Sequence, residues 1–272
     1  MPELPEVETV VRALRDTILD KTIKSIRLDS PKIDSDNQLG WLDILMNKRI
    51  SKIRRRGKNI LIDLSGNYTL WVHLKMTGHF YWLEESKPID RHDLVIFKFK
   101  DEKKSLHFND YRRFGRVRLF KTNDIMTQKG LVELGPEPLE INADDFIALF
   151  KSRKRMIKPA LLDQTFISGL GNIYADEILF ACRINPFRST NRISAKKLIE
   201  LHSTIQSVLK KAIRFMGTTV DSFAGVNGKP GRYQKYLKIY GREDEFCSNC
   251  GTKIRRIKIG SRSAHFCPRC QR

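Results

Sequence analysis

Two pairs of cysteines lie near the C-terminal end: Cys247 and Cys250, then Cys267 and Cys270, with two residues inside each pair. No other feature restricts the fold as tightly. A C-x-x-C pair presents two thiolates from one tight turn, and two pairs at this separation supply the four sulfurs of a tetrahedral Zn²⁺ site joined by a hairpin. One structural Zn²⁺ is therefore expected. Two disulfides are the competing use of the same residues, and a reducing compartment works against them. The intervening GTKIRRIKIGSRSAHF carries Lys253, Arg255, Arg256, Lys258 and Arg262, so a metal-fixed strand pair would present cations to a polyanion. Cys182, within ILFACRI, is expected as a small buried side chain.

The charge of the whole chain agrees with that reading. Lys and Arg number 51 against 31 Asp and Glu, a formal net charge of +20, which points to nucleic acid as partner. A membrane surface would also suit the charge, but no apolar run approaches the ~20 residues needed to span and no basic amphipathic anchor stands out. No secretory signal is recognisable, so a cytoplasmic location is expected. A length of 272 residues with 40% hydrophobic content allows two or three domains with substantial cores.

Hydrophobic patterning divides the chain. Residues 22–122 read as about eight short strands, TIKSIRL, KRISKIRR, NILIDLS, YTLWVHLKM, HFYWLE, DLVIFKFK, KSLHFND and GRVRLFK, which suggests a sandwich. A helix over about 36–47 interrupts them, with Leu39, Leu42 and Leu45/Met46 on one side. From about Leu131 the texture becomes helical, through FIALFKSR, IKPALLD, NIYADEILFACRI and SAKKLIELHSTIQSVLKKAIRFM, the last capped by Ser194. The Gly-rich GTTVDSFAGVNGKPGRY then leads to the cysteine pairs.

Two stretches hold candidate chemistry. The opening MPELPEVETV concentrates acid in a basic protein. Pro5, Glu6 and Glu8 make a good helix start, followed by a Val7, Val10, Val11, Leu14, Ile18 stripe, but that account leaves Pro2 and Glu3 unused. In GLGNIYADE, Gly169 and Gly171 allow a tight turn before Asn172 at a helix start, either a phosphate seat or an ordinary cap.

Together MPELPEVETV, the lysine in RRRGKNI, HLKMTG, NDYRRFG, GLGNIYADE and the cysteine hairpin resemble, in order and from end to end, the formamidopyrimidine-DNA glycosylases, bacterial enzymes that excise oxidised purines such as 8-oxoguanine. The resemblance implies a multidomain α+β fold. It consists of an N-terminal β-sandwich catalytic domain over residues 1–130, a helix-two-turn-helix domain with a lesion-capping loop over 131–232, and a zinc finger over 233–272, with DNA in the cleft between the halves. It also implies removal of Met1, so that the Pro2 amine attacks C1′ of the damaged nucleotide, Glu3 protonates the deoxyribose ring oxygen, and Glu6 contacts the sugar or orients a water. An α-amino group with a pKa of about 8 suits that task, being partly unprotonated at neutral pH.

Further roles follow from the same resemblance. Lys58 would contact the phosphate beside the lesion and assist elimination, and His73 would contact another phosphate. Asn172, Tyr174 and Arg262 would hold phosphates at a kinked site, while Lys158 would handle the lesion. Met76, Arg112 and Phe114 would fill the gap left by the extruded base, with Arg112 facing the orphaned cytosine. The loop from Gly217 to about Gly231 would close over the base. Tyr111 stands where many relatives carry proline, which affects the local turn. The expected partner is duplex DNA containing oxidised purines or abasic sites, bound by a monomer. Two other readings remain: an endonuclease VIII-like enzyme acting on oxidised pyrimidines, and a non-catalytic zinc-hairpin DNA-binding protein.

Overall fold

The computed structural model describes residues 1–29, 41–219, 226 and 228–272. Leu39 and the centre of the 217–231 loop lie outside the described residues. The chain divides into two compact units, one of residues 1–132 with 215–232 and the other of residues 133–214 with 233–272.

The first unit starts with helix α1 (Leu4–Ile18), for which Glu3 is the N-cap and Pro5 lies in the first turn. The expected stripe is its buried face: Val7, Val10, Val11, Leu14 and Ile18 all join the hydrophobic core. Each such burial contributes about 1.5–3 kcal/mol. The start of the chain is thereby fixed to the sandwich rather than left to fray. Arg55 reinforces the attachment from strand β2, its Nε 3.2 Å from Glu8 Oε2.

Among the described residues eight strands follow: β1 (Ile23–Leu28), β2 (Ile50–Arg56), β3 (Asn59–Leu64), β4 (Tyr68–His73), β5 (His79–Glu84), β6 (Asp93–Phe99), β7 (Lys104–Asn109) and β8 (Arg116–Lys121). A short helix α2 (Trp41–Leu45) sits after β1, within the span expected to be helical. The strands form two four-stranded antiparallel sheets, ordered β1-β6-β7-β5 and β2-β3-β4-β8. Phe80, Val95, Phe97 and Phe108 from one sheet and Ile53, Ile60, Ile62, Val72 and Val117 from the other share one core, so the unit is a sandwich. This architecture leaves the β2–β3, β4–β5 and β7–β8 connections to carry the charged and exposed residues of interest.

The second unit contains α3 (Ala143–Lys151), α4 (Ile157–Leu162), α5 (Asn172–Ala181) and α6 (Ala195–Arg214), followed by the hairpin β9 (Arg255–Ile259) and β10 (Arg262–Phe266). α6 packs on α3 and α5 and buries Leu198, Leu201, Ile205 and Leu209. β10 packs on α5. Among the described residues, no helix is long and apolar enough to cross a membrane.

Candidate active site and nucleic-acid interface

At the amino terminus, Met1 is exposed and Pro2 and Glu3 are buried. Glu6, one helical turn on, binds both what precedes it and a distant segment. Its Oε2 accepts from the Glu3 backbone N–H at 2.8 Å, and its Oε1 accepts from the Thr218 backbone N–H at 2.7 Å. Gly217, with φ +74°, makes the second contact possible: a Cβ there would stand 2.5 Å from Glu6 Oε1. The segment is pinched at its base, where Arg232 N–H donates to Phe215 O at 2.8 Å and Gly231 N–H to Thr219 Oγ1 at 2.8 Å. Glu6 thus serves two backbone donors within the unit, which fixes Glu3 and the root of the glycine-rich loop together.

Lys58 sits in the two-residue turn between β2 and β3 and is almost fully buried, at 5% exposure. His73 ends β4, paired with Asn59 on one side and Arg116 on the other. Burial first, then the nearby Lys75 and Lys58 ammonium groups, hold the His73 pKa down at about 3. The ring is therefore neutral at physiological pH, and its Nδ1 accepts from Lys75 N–H at 2.9 Å. That places the ring proton on Nε2, which is left as a hydrogen-bond donor. Lys75 is itself lowered from the ordinary lysine value by burial and by Arg116 and Arg118. Cations crowded in this way repel one another, a conflict that a neighbouring anion would relieve.

Met76 in the β4–β5 connection and Phe114 in the β7–β8 connection are large apolar side chains left exposed, at 39% and 49%. The Arg112 guanidinium lies over the Phe114 ring, 4.9 Å from its centroid. Tyr111, the departure from the family pattern, is also exposed.

In the second unit the predicted residues separate by burial. Arg262 is exposed at the start of β10. Asn172 opens α5, and its buried Oδ1 has no hydrogen-bond partner among the described residues, an unused acceptor at a helix start. Tyr174 is fully buried, its ring 5.7 Å from Tyr233, so its side chain serves the core. Lys158 is fully buried as well, with Nζ 2.5 Å from Asp176 Oδ1 and 2.5 Å from Ser263 O. Asp176 Oδ2 accepts from His265 N–H at 3.0 Å, and the neighbouring Glu177 accepts from the backbone N–H groups of Lys238, Ile239 and Tyr240 at 2.9–3.0 Å. Burial raises the Glu177 pKa above the usual carboxylate value against the pull of those three donors.

The cysteine pairs converge. All four sulfurs lie within 4.8 Å of one another, with Cys247 and Cys270 at 3.9 Å and Cys250 and Cys267 at 3.4 Å. A tetrahedral ion with bonds of about 2.3 Å requires sulfur separations of about 3.8 Å, a value that lies within the spread of this cluster. The Cys250 thiol is drawn down to about 6, chiefly by hydrogen bonding with Thr252. Desolvation and the adjoining thiols push Cys270 up to about 12. Four thiolates repel one another in this space, and a divalent cation removes the conflict.

Comparison with known proteins agrees with this geometry. Residues 1–117 match the formamidopyrimidine-DNA glycosylase N-terminal domain, 134–224 the H2TH domain of the same enzymes, and 244–272 the zinc finger found in FPG and IleRS. A formamidopyrimidine-DNA glycosylase of Pelotomaculum thermopropionicum is 43% identical over the whole of this chain and 99% of its own length, and one of Lactobacillus helveticus is 42% identical with the same coverage. The chain belongs to the formamidopyrimidine-DNA glycosylase family. Crystal structures of Lactococcus lactis Fpg share the fold. A point mutant of that enzyme bound to DNA containing Fapy-dG aligns with a TM-score of 0.92 at 34% identity, and a complex with abasic-site DNA with a TM-score of 0.91, each covering 99% of both chains.

Within this formamidopyrimidine-DNA glycosylase fold the candidate residues fall into two groups. The first unit brings together Pro2, Glu3 and Glu6, places Lys58 close enough to act on the His73 charge, and stacks Arg112 on Phe114. The second holds the four cysteines as a zinc finger and links Lys158 to Ser263, the neighbour of Arg262. Sequence reasoning missed Thr218, Asp176 and Glu177, whose roles depend on partners distant in sequence. It also missed Gln164, whose side chain accepts from Gly169 N–H at 2.9 Å and donates to Leu170 O at 2.8 Å, bracing the turn before Asn172.

Proposed function

We propose that this chain is a bifunctional DNA repair glycosylase that excises 8-oxoguanine and formamidopyrimidines from duplex DNA through an N-terminal proline Schiff base, then cleaves the strand by β,δ-elimination. The observation that carries the reading is the buried Glu3 immediately behind Pro2, its backbone held by Glu6. With Met1 removed, the Pro2 nitrogen is a secondary amine with a pKa near 8. Its lone pair forms the bond to C1′ as the damaged base leaves with the glycosidic electron pair, and the proton shed by the alkylated nitrogen neutralises the departing base. Glu3 donates a proton to the ring oxygen, the sugar opens, and the nitrogen becomes an iminium. That cation acidifies the C2′ proton, and its removal by a carboxylate expels the 3′ phosphate; a second elimination expels the 5′ phosphate.

The other residues take supporting roles. Glu6, with a backbone donor on each oxygen, orients Glu3 and the loop root and keeps acceptor capacity for the sugar or a water. Lys58 and the neutral His73, donating through Nε2, bind phosphates flanking the lesion, and Met76, Arg112 and Phe114 fill the gap. Asn172 and Arg262 hold phosphates at the kink. Tyr174 contributes from the core beneath, and the buried Lys158 acts by holding β10 rather than by touching the lesion. Zn²⁺ on Cys247, Cys250, Cys267 and Cys270 keeps the Arg262 hairpin in shape. Three functional segments, 1–130, 131–232 and 233–272, carry this division of labour in a monomer acting on DNA in a bacterial cytoplasm.

Single-turnover excision from duplexes containing 8-oxoguanine, a formamidopyrimidine or an oxidised pyrimidine, each opposite cytosine or its usual partner, tests the assignment. Faster purine excision is expected. A Lactococcus lactis Fpg structure contains oxidised-pyrimidine DNA, so a rate order led by the pyrimidine substrate would favour the endonuclease VIII-like reading.

A further inference from the structure

Asp110 is fully buried, yet it lies in a connection whose next four residues are all exposed. Its carboxylate organises that connection. Oδ2 accepts from Phe114 N–H at 2.8 Å and Gly115 N–H at 2.7 Å, Oδ1 accepts from Arg112 N–H at 3.2 Å, and its carbonyl accepts from Arg113 N–H at 3.0 Å. The turn so held is tightly placed: Arg113 adopts the left-handed region at φ +56°, and Gly115 has no room for a side chain, since a Cβ there would stand 2.6 Å from the Phe108 ring. Oδ1 also accepts from the hydroxyl of Thr77, a buried residue of the β4–β5 connection directly after Met76. One carboxylate therefore holds the backbone behind Arg112 and Phe114 and the residue behind Met76.

We propose that Asp110 and Thr77 are a positioning pair that locks the two connections into a single preformed wedge, so that Met76, Arg112 and Phe114 enter the DNA without first being ordered. The inference rests on the gap-filling role given to those three side chains. Extruding a base carries an unstacking cost, and fixing free loop residues adds a conformational one. A buried carboxylate with these donors settles the second cost at folding. Neither sheet requires it, because β7 ends at Asn109 and β8 begins at Arg116. Capping the β7–β8 connection alone would need the backbone donors but not the Thr77 hydroxyl, which makes Thr77 the informative position.

The test compares wild type, Thr77→Val and Thr77→Ser, with Met76→Ala as control, on 8-oxoguanine paired with cytosine and on 8-oxoguanine in a one-nucleotide bulge. Single-turnover excision is measured beside fluorescence of 2-aminopurine placed next to the lesion. Thr77→Val keeps the side-chain shape and should slow excision and the fluorescence rise about tenfold on the paired duplex, with little effect on the bulge, where unstacking is already done. Thr77→Ser should restore the wild-type rate, which a packing role for the methyl group would not predict. Asp110→Asn should shift the two substrates in the same unequal way. Equal slowing on both duplexes, or a silent Thr77→Val beside a Met76→Ala that is slow only on the paired one, would overturn the locking role alone. A Met76→Ala enzyme indifferent to pairing would overturn the wedge reading itself, and the positioning pair with it.

Discussion

The amino-terminal site and the four-cysteine hairpin are both anchored by buried carboxylates that accept backbone N–H groups, yet what stands behind each anchor differs. Behind Glu3 and Glu6 lies the large sandwich core, entered by the whole apolar face of α1. Behind the hairpin lies a small cluster of Phe180, Ile239, Ile254, Cys247 and Cys267, and β9 itself is almost entirely exposed. Two five-residue strands cannot bury enough apolar surface to hold themselves. A metal site and the Lys158–Asp176 ion pair supply what the core does not. On the proposed reading the chemistry belongs to the hydrophobically supported amino-terminal site and part of the DNA grip to the hairpin supported by ions, so loss of the nucleophile should spare binding and loss of the hairpin should spare the chemistry.

The largest expected effect is on the chemical side. Blocking Pro2 with an uncleaved N-terminal extension should lower excision and strand cleavage together by several orders of magnitude, as loss of a nucleophile does. Binding to a duplex with a stable abasic analogue, read by anisotropy, should change little. Glu3→Gln should lower base excision by about 10²–10⁴-fold while sparing part of the cleavage at a preformed abasic site, because ring-oxygen protonation matters most while the base is attached. Equal loss on both substrates would give Glu3 a structural role.

On the grip side, Cys267→Ser or zinc chelation should weaken DNA binding and lower the slope of log K against log salt by about 0.9 for each phosphate that the hairpin no longer neutralises. Lys158→Met should act in the same direction with zinc content retained, because it leaves Asp176 buried beside an uncharged side chain. A Lys158→Met enzyme with wild-type binding but slow excision would move Lys158 back to the lesion and break the contrast. Arg112→Ala should flatten the preference for cytosine over adenine opposite 8-oxoguanine by about tenfold, the worth of a good base contact. The smallest effect concerns pH. His73 titrates lower in the folded protein than unfolded, so the unfolded chain binds the extra proton between about 3 and its ordinary value near 6.5. Stability should therefore rise with pH across that window, and His73→Gln should shallow the slope of a denaturant-midpoint titration.

Much of this is legible in the sequence because it is local. Short alternating or β-branched apolar runs between turn residues mark the strands of the sandwich, and the α1 stripe can be read residue by residue. The cysteine spacing predicts the metal cluster. What stays hidden depends on partners far along the chain: Glu6 with Thr218, Glu177 with residues 238–240, and Asp110 with Thr77. A carboxylate that caps a distant backbone carries no periodic signal, and an Asp beside a turn looks like ordinary turn chemistry. Burial is equally unreadable for Lys158 and Tyr174, because a cation and an aromatic inside IKPALL or GLGNIYADE have the same letters whether they face DNA or the core.

The central claim is that Pro2 is the nucleophile, and borohydride trapping tests it most directly. Enzyme with a processed N-terminus, mixed with duplex DNA carrying 8-oxoguanine opposite cytosine and reduced during turnover, should yield a covalent adduct. Peptide mass spectrometry should place the sugar fragment on the N-terminal peptide, at the Pro2 nitrogen. A crosslink mapped to Lys58 or another lysine, or no adduct from enzyme that still excises the base, would contradict the account.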